Sequence, residues 1–299
     1  MHDLTKLEGC GTALVTPFRQ DGSLDNEALA SLVEWQIQEG IHFLVPCGTT
    51  GEGATLSPEE FLSTASLTLK VAAGRVPVVA GAGGNNTAKV AELIAELEAL
   101  GIDGILSVSP YYNKPTQEGI FRHFKALAQS TRLPIIVYNV PGRTGSNILP
   151  ETLLRLAELK NITGVKEASG DISQIAEICL RAPENFRVLS GDDALTLPLI
   201  ALGGHGVISV VANEVPGMMV EFVDACLSGN YRDARGWNKK LLPLMKANFL
   251  ESNPIPAKAA LAMMGKIAEV YRLPLTKMSD GARAKLEAVL ADLVRIDRS

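Results

Sequence analysis

A chain of 299 residues, 46% hydrophobic and 20% charged, has room for a large buried core and the balance of a soluble globular protein. Its net charge of -5 and pI near 5.5 argue against the basic footprint of a nucleic-acid binder. No apolar run is long enough to span a bilayer, and Met1-His2-Asp3-Leu4-Thr5-Lys6 lacks the apolar segment of a secretory signal, so a cytoplasmic protein is expected.

In chain order, short β-rich runs alternate with helical patterns. Gly11–Val15 is the first predicted strand. A helix follows over Glu27–Glu39, where Leu29, Leu32, Val33, Trp35 and Ile37 recur near the helical period. Phe43–Pro46 predicts the second strand. Ser57-Pro58-Glu59-Glu60 marks a helix start, with serine as N-cap, proline in the first turn and acids next. A third strand at Pro77–Ala80 runs into Gly81-Ala82-Gly83-Gly84-Asn85, a tight turn without G-x-G-x-x-G spacing, and then a helix over Ala88–Leu100 closed by Gly101. Further strands are expected at Gly104–Val108, Pro134–Asn139, Thr163–Ala168, Arg187–Ser190 and Gly206–Val210, with helix starts at Thr116-Gln117-Glu118 and Leu149-Pro150-Glu151. After Val211 the alternation stops. Helices over Pro216–Ser228, Tyr231–Leu250, Pro256–Val270 and Asp280–Val294 follow directly, the second and third parted by Asn253-Pro254-Ile255-Pro256.

Eight strand–helix units in succession predict an α/β fold, a (β/α)8 TIM barrel over residues 1–229, with Pro216–Ser228 as its eighth helix. Residues 230–299 are expected to form an appended C-terminal helical region for packing or oligomer contact. A doubly wound sheet is the rival fold. It calls for a glycine-rich dinucleotide turn after the first strand, where this chain has Val15-Thr16-Pro17-Phe18.

In such a barrel the C-terminal ends of the strands carry the chemistry. Lys166 falls late in the sixth strand, inside the apolar run Ile162–Ala168. Burial there disfavours the ammonium form, and a neutral amine attacks carbonyls to give a Schiff base. The ordinary alternative is a lysine at a strand end that snorkels to water. Gly164 and Ala168, its same-parity neighbours, leave it space. Tyr138, late in the fifth strand, is expected beside Lys166 as a proton relay; otherwise it is a core tyrosine with a backbone partner. Gly48-Thr49-Thr50-Gly51-Glu52-Gly53 offers hydroxyls and backbone N–H groups for a small carboxylate, or is simply a turn-rich loop. Arg143, after the fifth strand, is either a carboxylate fork or a solvated loop arginine. Tyr111-Tyr112-Asn113 follows the fourth strand as core edge, binding surface or interface.

Cys10, Cys47, Cys179 and Cys226 form no disulfide or zinc spacing, and Cys47 reads as a buried inert thiol. His2, His42, His123 and His205 show no ligand spacing either, so no metal site is expected, and a lysine that is itself the covalent catalyst requires no organic cofactor.

Gly48-Thr49-Thr50-Gly51-Glu52, Pro110-Tyr111-Tyr112-Asn113, Tyr138–Gly145, Gly164-Val165-Lys166-Glu167-Ala168 and Ser190-Gly191-Asp192-Asp193 come in an order and spacing that resemble the pyruvate-dependent aldolases, the lysine Schiff-base barrels. The resemblance runs from about Gly9 to the C-terminal helices. It implies a lyase in which Lys166 forms an imine with pyruvate, and Tyr138, Thr49 and Tyr112 relay protons. The tyrosine matching Tyr112 reaches a neighbouring subunit's site in that family, which implies self-association, usually as a homotetramer. The same resemblance implies that Thr50 holds the pyruvate carboxylate, that Arg143 takes the carboxylate of L-aspartate 4-semialdehyde, and that backbone at Ile208 and Gly191 lines the pocket. The activity it implies belongs to diaminopimelate and lysine biosynthesis, with sugar-acid aldolases of the N-acetylneuraminate lyase or 2-keto-3-deoxygluconate type as the alternative; serine-threonine is common in the former lyases where Thr49-Thr50 stands here. A non-catalytic carboxylate-binding barrel and a metal-dependent aldolase are weaker rivals. The first is disfavoured by the intact lysine–tyrosine–threonine set, the second by the lack of clustered histidines and acids. In lysine-inhibited members a glutamate stands where this chain has Lys89, and histidines where it has Pro58 and Phe61, although Asn85 and Tyr111 are retained. Weak or absent lysine feedback is therefore expected.

Overall fold

The computed structural model describes residues 2–297. Eight parallel strands form one sheet: β1 (Gly9–Ala13), β2 (Phe43–Val45), β3 (Val79–Gly81), β4 (Gly104–Val108), β5 (Ile135–Asn139), β6 (Ile162–Glu167), β7 (Arg187–Ser190) and β8 (Gly206–Ser209). Their order is β2-β1-β8-β7-β6-β5-β4-β3, and an isolated parallel bridge between Leu44 and Val78 joins the two ends into a barrel. At this seam the Leu44 N–H donates to the Pro77 carbonyl at 2.9 Å and the Gly81 N–H to the Pro46 carbonyl at 2.9 Å.

Both faces of each strand are covered, which is why the strands read as continuous apolar runs rather than alternating ones. Phe43, Val45, Leu106, Ile136, Leu189 and Ile208 pack inside the barrel, with Leu4 and Leu7 in the same cluster. The alternate residues, such as Leu44, Ile105, Val137, Val165 and Val188, belong to the larger core shared with the helices.

Those helices are α1 (Asn26–Gln38), α2 (Pro58–Ala72), α3 (Thr87–Leu100), α4 (Gln117–Ser130), the single turn α5 (Pro141–Thr144), α6 (Pro150–Ala157), α7 (Ile172–Arg181), α8 (Thr196–Ala201) and α9 (Pro216–Leu227). After them come α10 (Tyr231–Ala247), α11 (Ile255–Met263) and α12 (Asp280–Asp297). Their ends follow the local chemistry. Ser57 and Glu60 form a reciprocal capping box on α2, Thr116 caps α4, and Gly101 closes α3 in the left-handed region at φ 84°.

The (β/α)8 reading holds, with shifted edges. β1 starts at Gly9, two residues before the predicted Gly11, because Gly9 and Cys10 pair with Gly206 and Val207 of β8. Val15 falls outside it, since its N–H donates to the Asn213 side chain instead. The helix predicted over Pro256–Val270 stops at Met263, where Gly265 turns left-handed at φ 70°. No helix among the described residues is long and apolar enough to cross a membrane.

Candidate active site

Lys166 points into the barrel from β6, next to its β5 register partner Tyr138. Its Nζ lies 4.5 Å from the Tyr138 ring centroid and donates no hydrogen bond to a described residue. The side chain is 5% exposed, and burial brings the amine down from its ordinary value to about 8. Asp193 pulls that value up and Arg143 pushes it down, both more weakly than burial. The same burial pushes the Tyr138 phenol up to about 12, so the ring keeps its proton at neutral pH.

Gly191, just past β7, makes the space for this lysine. A Cβ there would stand 2.7 Å from the Ala168 Cβ and 3.0 Å from the Lys166 Cε. Asp193 is buried two residues on. It accepts hydrogen bonds from Ser209 and from the Val210 and Val211 N–H groups, and so ties the end of β7 to the end of β8.

The loop after β2 brings two threonines to the same mouth. Glu52 N–H donates to the Thr49 carbonyl at 3.1 Å and Gly53 N–H to the Gly48 carbonyl at 3.2 Å, which curls the loop tightly. The N–H groups of Thr49 and Thr50 donate to no described atom, so they remain available to an anion. Gly81 lets β3 approach this loop; a Cβ on it would meet the Gly48 backbone at 2.7 Å.

Arg143 sits on the single turn α5, started by Pro141, and donates from Nη2 to the Asn253 carbonyl at 3.2 Å. The Asn253 amide in turn donates to Thr50 Oγ1 at 2.9 Å, and its own Oδ1 is buried without a partner. Asn253 therefore bridges two strand ends that sequence reading connects only through the barrel. In the sequence it stands out merely as part of a helix break.

Thr49, Thr50, Tyr138, Arg143, Lys166 and Gly191 all line one cleft of about 950 Å3. Asp192 and Asn253, neither singled out as a site residue from the sequence, line it too. Ile208 lies within the barrel core below the mouth, 1% exposed and outside the cleft lining. Tyr112 stands apart at 89% exposed and in left-handed backbone at φ 72°, without a hydrogen bond to a described residue. Cys47 also touches the cleft, but burial pushes its thiol far up, and it donates to the Phe61 carbonyl. Among the described residues no group of three or more His, Cys, Asp or Glu side chains has metal-holding geometry.

Comparison with known proteins agrees with this architecture. The model of the dihydrodipicolinate synthetase family matches residues 6–293. The 4-hydroxy-tetrahydrodipicolinate synthase of Koribacter versatilis is 57% identical over 288 residues, 96% of each chain. The solved dihydrodipicolinate synthase of Thermotoga maritima is 47% identical and superposes with a TM-score of 0.94 over 96% of this chain and 99% of that one. That of Acinetobacter baumannii, solved in complex with pyruvate, is 43% identical with a TM-score of 0.94 over 96% of this chain and 98% of that one.

Proposed function

Because the chain belongs to the dihydrodipicolinate synthetase family, we propose that it condenses pyruvate with L-aspartate 4-semialdehyde to give 4-hydroxy-tetrahydrodipicolinate, through a Schiff base on Lys166. The enzyme is a lyase of the class I aldolase type. The observation that carries the residue assignment is the buried, unpaired Lys166 amine, held near pH 8 beside a protonated Tyr138 at the mouth of the barrel.

The neutral Lys166 amine attacks pyruvate C2, and loss of water leaves a protonated imine. The imine nitrogen draws electrons from C3, which loses a proton to become an enamine. Enamine C3 attacks the semialdehyde carbon, and the new alkoxide takes a proton. The product's own amine then adds to the imine carbon and expels Lys166, closing the ring. Tyr138 carries protons to and from these oxygens, with Thr49 linking it to the loop and Tyr112 of a neighbouring subunit completing the relay. The free Thr49 and Thr50 N–H groups, with the Thr50 hydroxyl, hold the pyruvate carboxylate.

The cleft favours an amino aldehyde over a sugar acid. Arg143 offers a guanidinium fork to a carboxylate, while the Asp192 carboxylate and the unpartnered Asn253 Oδ1 offer acceptors to an α-ammonium, a group that sugar acids lack. Gly191 and the backbone near Ile208 shape the wall around the imine.

Lysine feedback is weak or absent in this reading. Lys89, Pro58 and Phe61 line the same cleft, and a cationic side chain there repels the ammonium of lysine. The role given to Tyr112, exposed on its own chain, requires at least a dimer; the family resemblance adds that the assembly is a homotetramer, and the same reading expects a cytoplasmic enzyme.

Borohydride reduction with pyruvate should trap an adduct on Lys166, and a coupled assay should favour aspartate semialdehyde over N-acetylneuraminate and 2-keto-3-deoxygluconate. An adduct elsewhere discards the mechanism, and turnover of a sugar acid alone discards the substrate. Half-inhibition by submillimolar lysine discards the feedback claim.

A further inference from the structure

Glu52 closes the threonine loop in left-handed backbone at φ 51°, a conformation strained for a residue with a Cβ. Its buried side chain meets Lys258 of α11. Glu52 Oε1 and Lys258 Nζ are 2.5 Å apart, with side chains 1% and 0% exposed. Glu52 Oε2 accepts from the Arg272 N–H at 3.2 Å. The Lys258 ammonium also lies 4.2 Å from the Phe18 ring centroid and 5.4 Å from that of Tyr271. On the loop's other side the Thr16 hydroxyl donates to the Gly51 carbonyl at 2.6 Å.

A buried ion pair contributes little net stability, because desolvation offsets the attraction; its removal on one side leaves an uncompensated charge. Such a pair is a weak reason for a fold to hold together and a strong constraint on where its two ends lie. One end here is two residues from Thr50, and the other is one helical turn into the element that begins after Asn253. We propose that Glu52 and Lys258 are a positioning pair: they hold the Thr49–Thr50 loop against α11 so that its free N–H groups face the incoming pyruvate carboxylate. This inference rests on the carboxylate assignment made above for Thr49 and Thr50. It makes the C-terminal helices part of substrate binding, although neither Glu52 nor Lys258 touches substrate.

The test uses three full-length variants: Glu52→Gln, Lys258→Met and the two combined. Thermal unfolding, pyruvate KM, kcat and borohydride trapping are measured for each. Both single variants should melt earlier, and pyruvate KM should rise about tenfold or more, since displacement of binding groups by an ångström is costly. The double variant carries no orphan charge, so its melting temperature should recover while its pyruvate KM stays raised. A pair that only supports the fold gives the opposite result, with pyruvate KM recovering alongside the melting temperature, and that overturns the proposal. If either single variant fails to fold, the double variant decides alone: a pyruvate KM within twofold of wild type overturns the pair's role. A wild-type chain that traps no pyruvate overturns the carboxylate reading and this proposal together, whereas trapping by wild type with unchanged KM in the variants overturns the pair alone.

Discussion

If burial prepares Lys166 for imine formation, the first covalent step should bend with pH where the amine titrates. Burial brings that amine from an ordinary value of 10.5 to about 8. At neutral pH about one amine in ten is then free, against about one in three thousand at the ordinary value, a gain of about 300-fold in nucleophile. The rate of adduct formation at low pyruvate should climb about tenfold per pH unit below the bend and level off above it. Borohydride quenching at timed intervals, with intact-mass readout from about pH 6 to about pH 10, measures this directly. Two charges should move the bend in opposite directions. Asp193→Asn removes the anion that raises the amine's value, so the bend moves down. Arg143→Gln removes the cation that lowers it, so the bend moves up. A flat profile, or a bend at the ordinary lysine value with the adduct still on Lys166, would refute the reasoning.

Lys166→Met should abolish trapping yet stabilise the chain. The folded value lies below the unfolded one, so the unfolded chain binds more protons between about pH 8 and 10.5 and stability rises with pH through that window. At neutral pH the gain should be up to about 3 kcal/mol by denaturant titration, fading toward the top of the window; equal midpoints for variant and wild type at neutral pH would contradict it. Tyr138→Phe should keep the fold and lose about 10²-fold or more in kcat, and a loss under about threefold removes Tyr138 from the proton relay. Arg143→Gln should raise the KM for aspartate semialdehyde while leaving pyruvate trapping in place at high pH; impaired trapping there would move Arg143 to the pyruvate side. Tyr112→Phe should keep the fold and lose about tenfold or more in kcat, and a loss under about threefold removes Tyr112 from the relay.

The barrel was legible because both of its signals are local. Runs such as Ile135–Asn139 and Gly104–Val108 are continuous and apolar since both faces are covered, and the helix starts at Ser57 and Thr116 carry their own caps. Strand ends were less legible because pairing sets them: Gly9 joins β1 only through Gly206, a partner almost two hundred positions away in sequence. The lysine, tyrosine, threonines and arginine could be given addresses because a barrel delivers every strand end to one face. Asn253 could not, since its value lies in joining Thr50 to Arg143, and all three are distant in sequence. Glu52 and Lys258 escaped for the same reason. Each alone is an ordinary charged residue, and only the fold shows that they are buried together.

The two buried lysines show how surroundings alone assign a side chain its task. Lys166 and Lys258 are 5% and 0% exposed, and burial lowers the amine of both. Lys258 has a carboxylate at 2.5 Å and two aromatic faces, which favour its charged form and oppose that lowering. Lys166 has no carboxylate at ion-pair distance among the described residues; Asp193 raises its value only through space, and the Asp193 oxygens are taken by Ser209, Val210 and Val211. Were a carboxylate to pair with Lys166 as Glu52 pairs with Lys258, the ammonium would be stabilised and the nucleophile lost. The donors on Asp193 therefore matter to the chemistry: Ser209, Val210 and Val211 occupy the oxygens of the one carboxylate whose charge raises the amine's value. A strand-end lysine becomes a nucleophile here through the absence of a partner, and a helix lysine becomes a fixed tie through the presence of one.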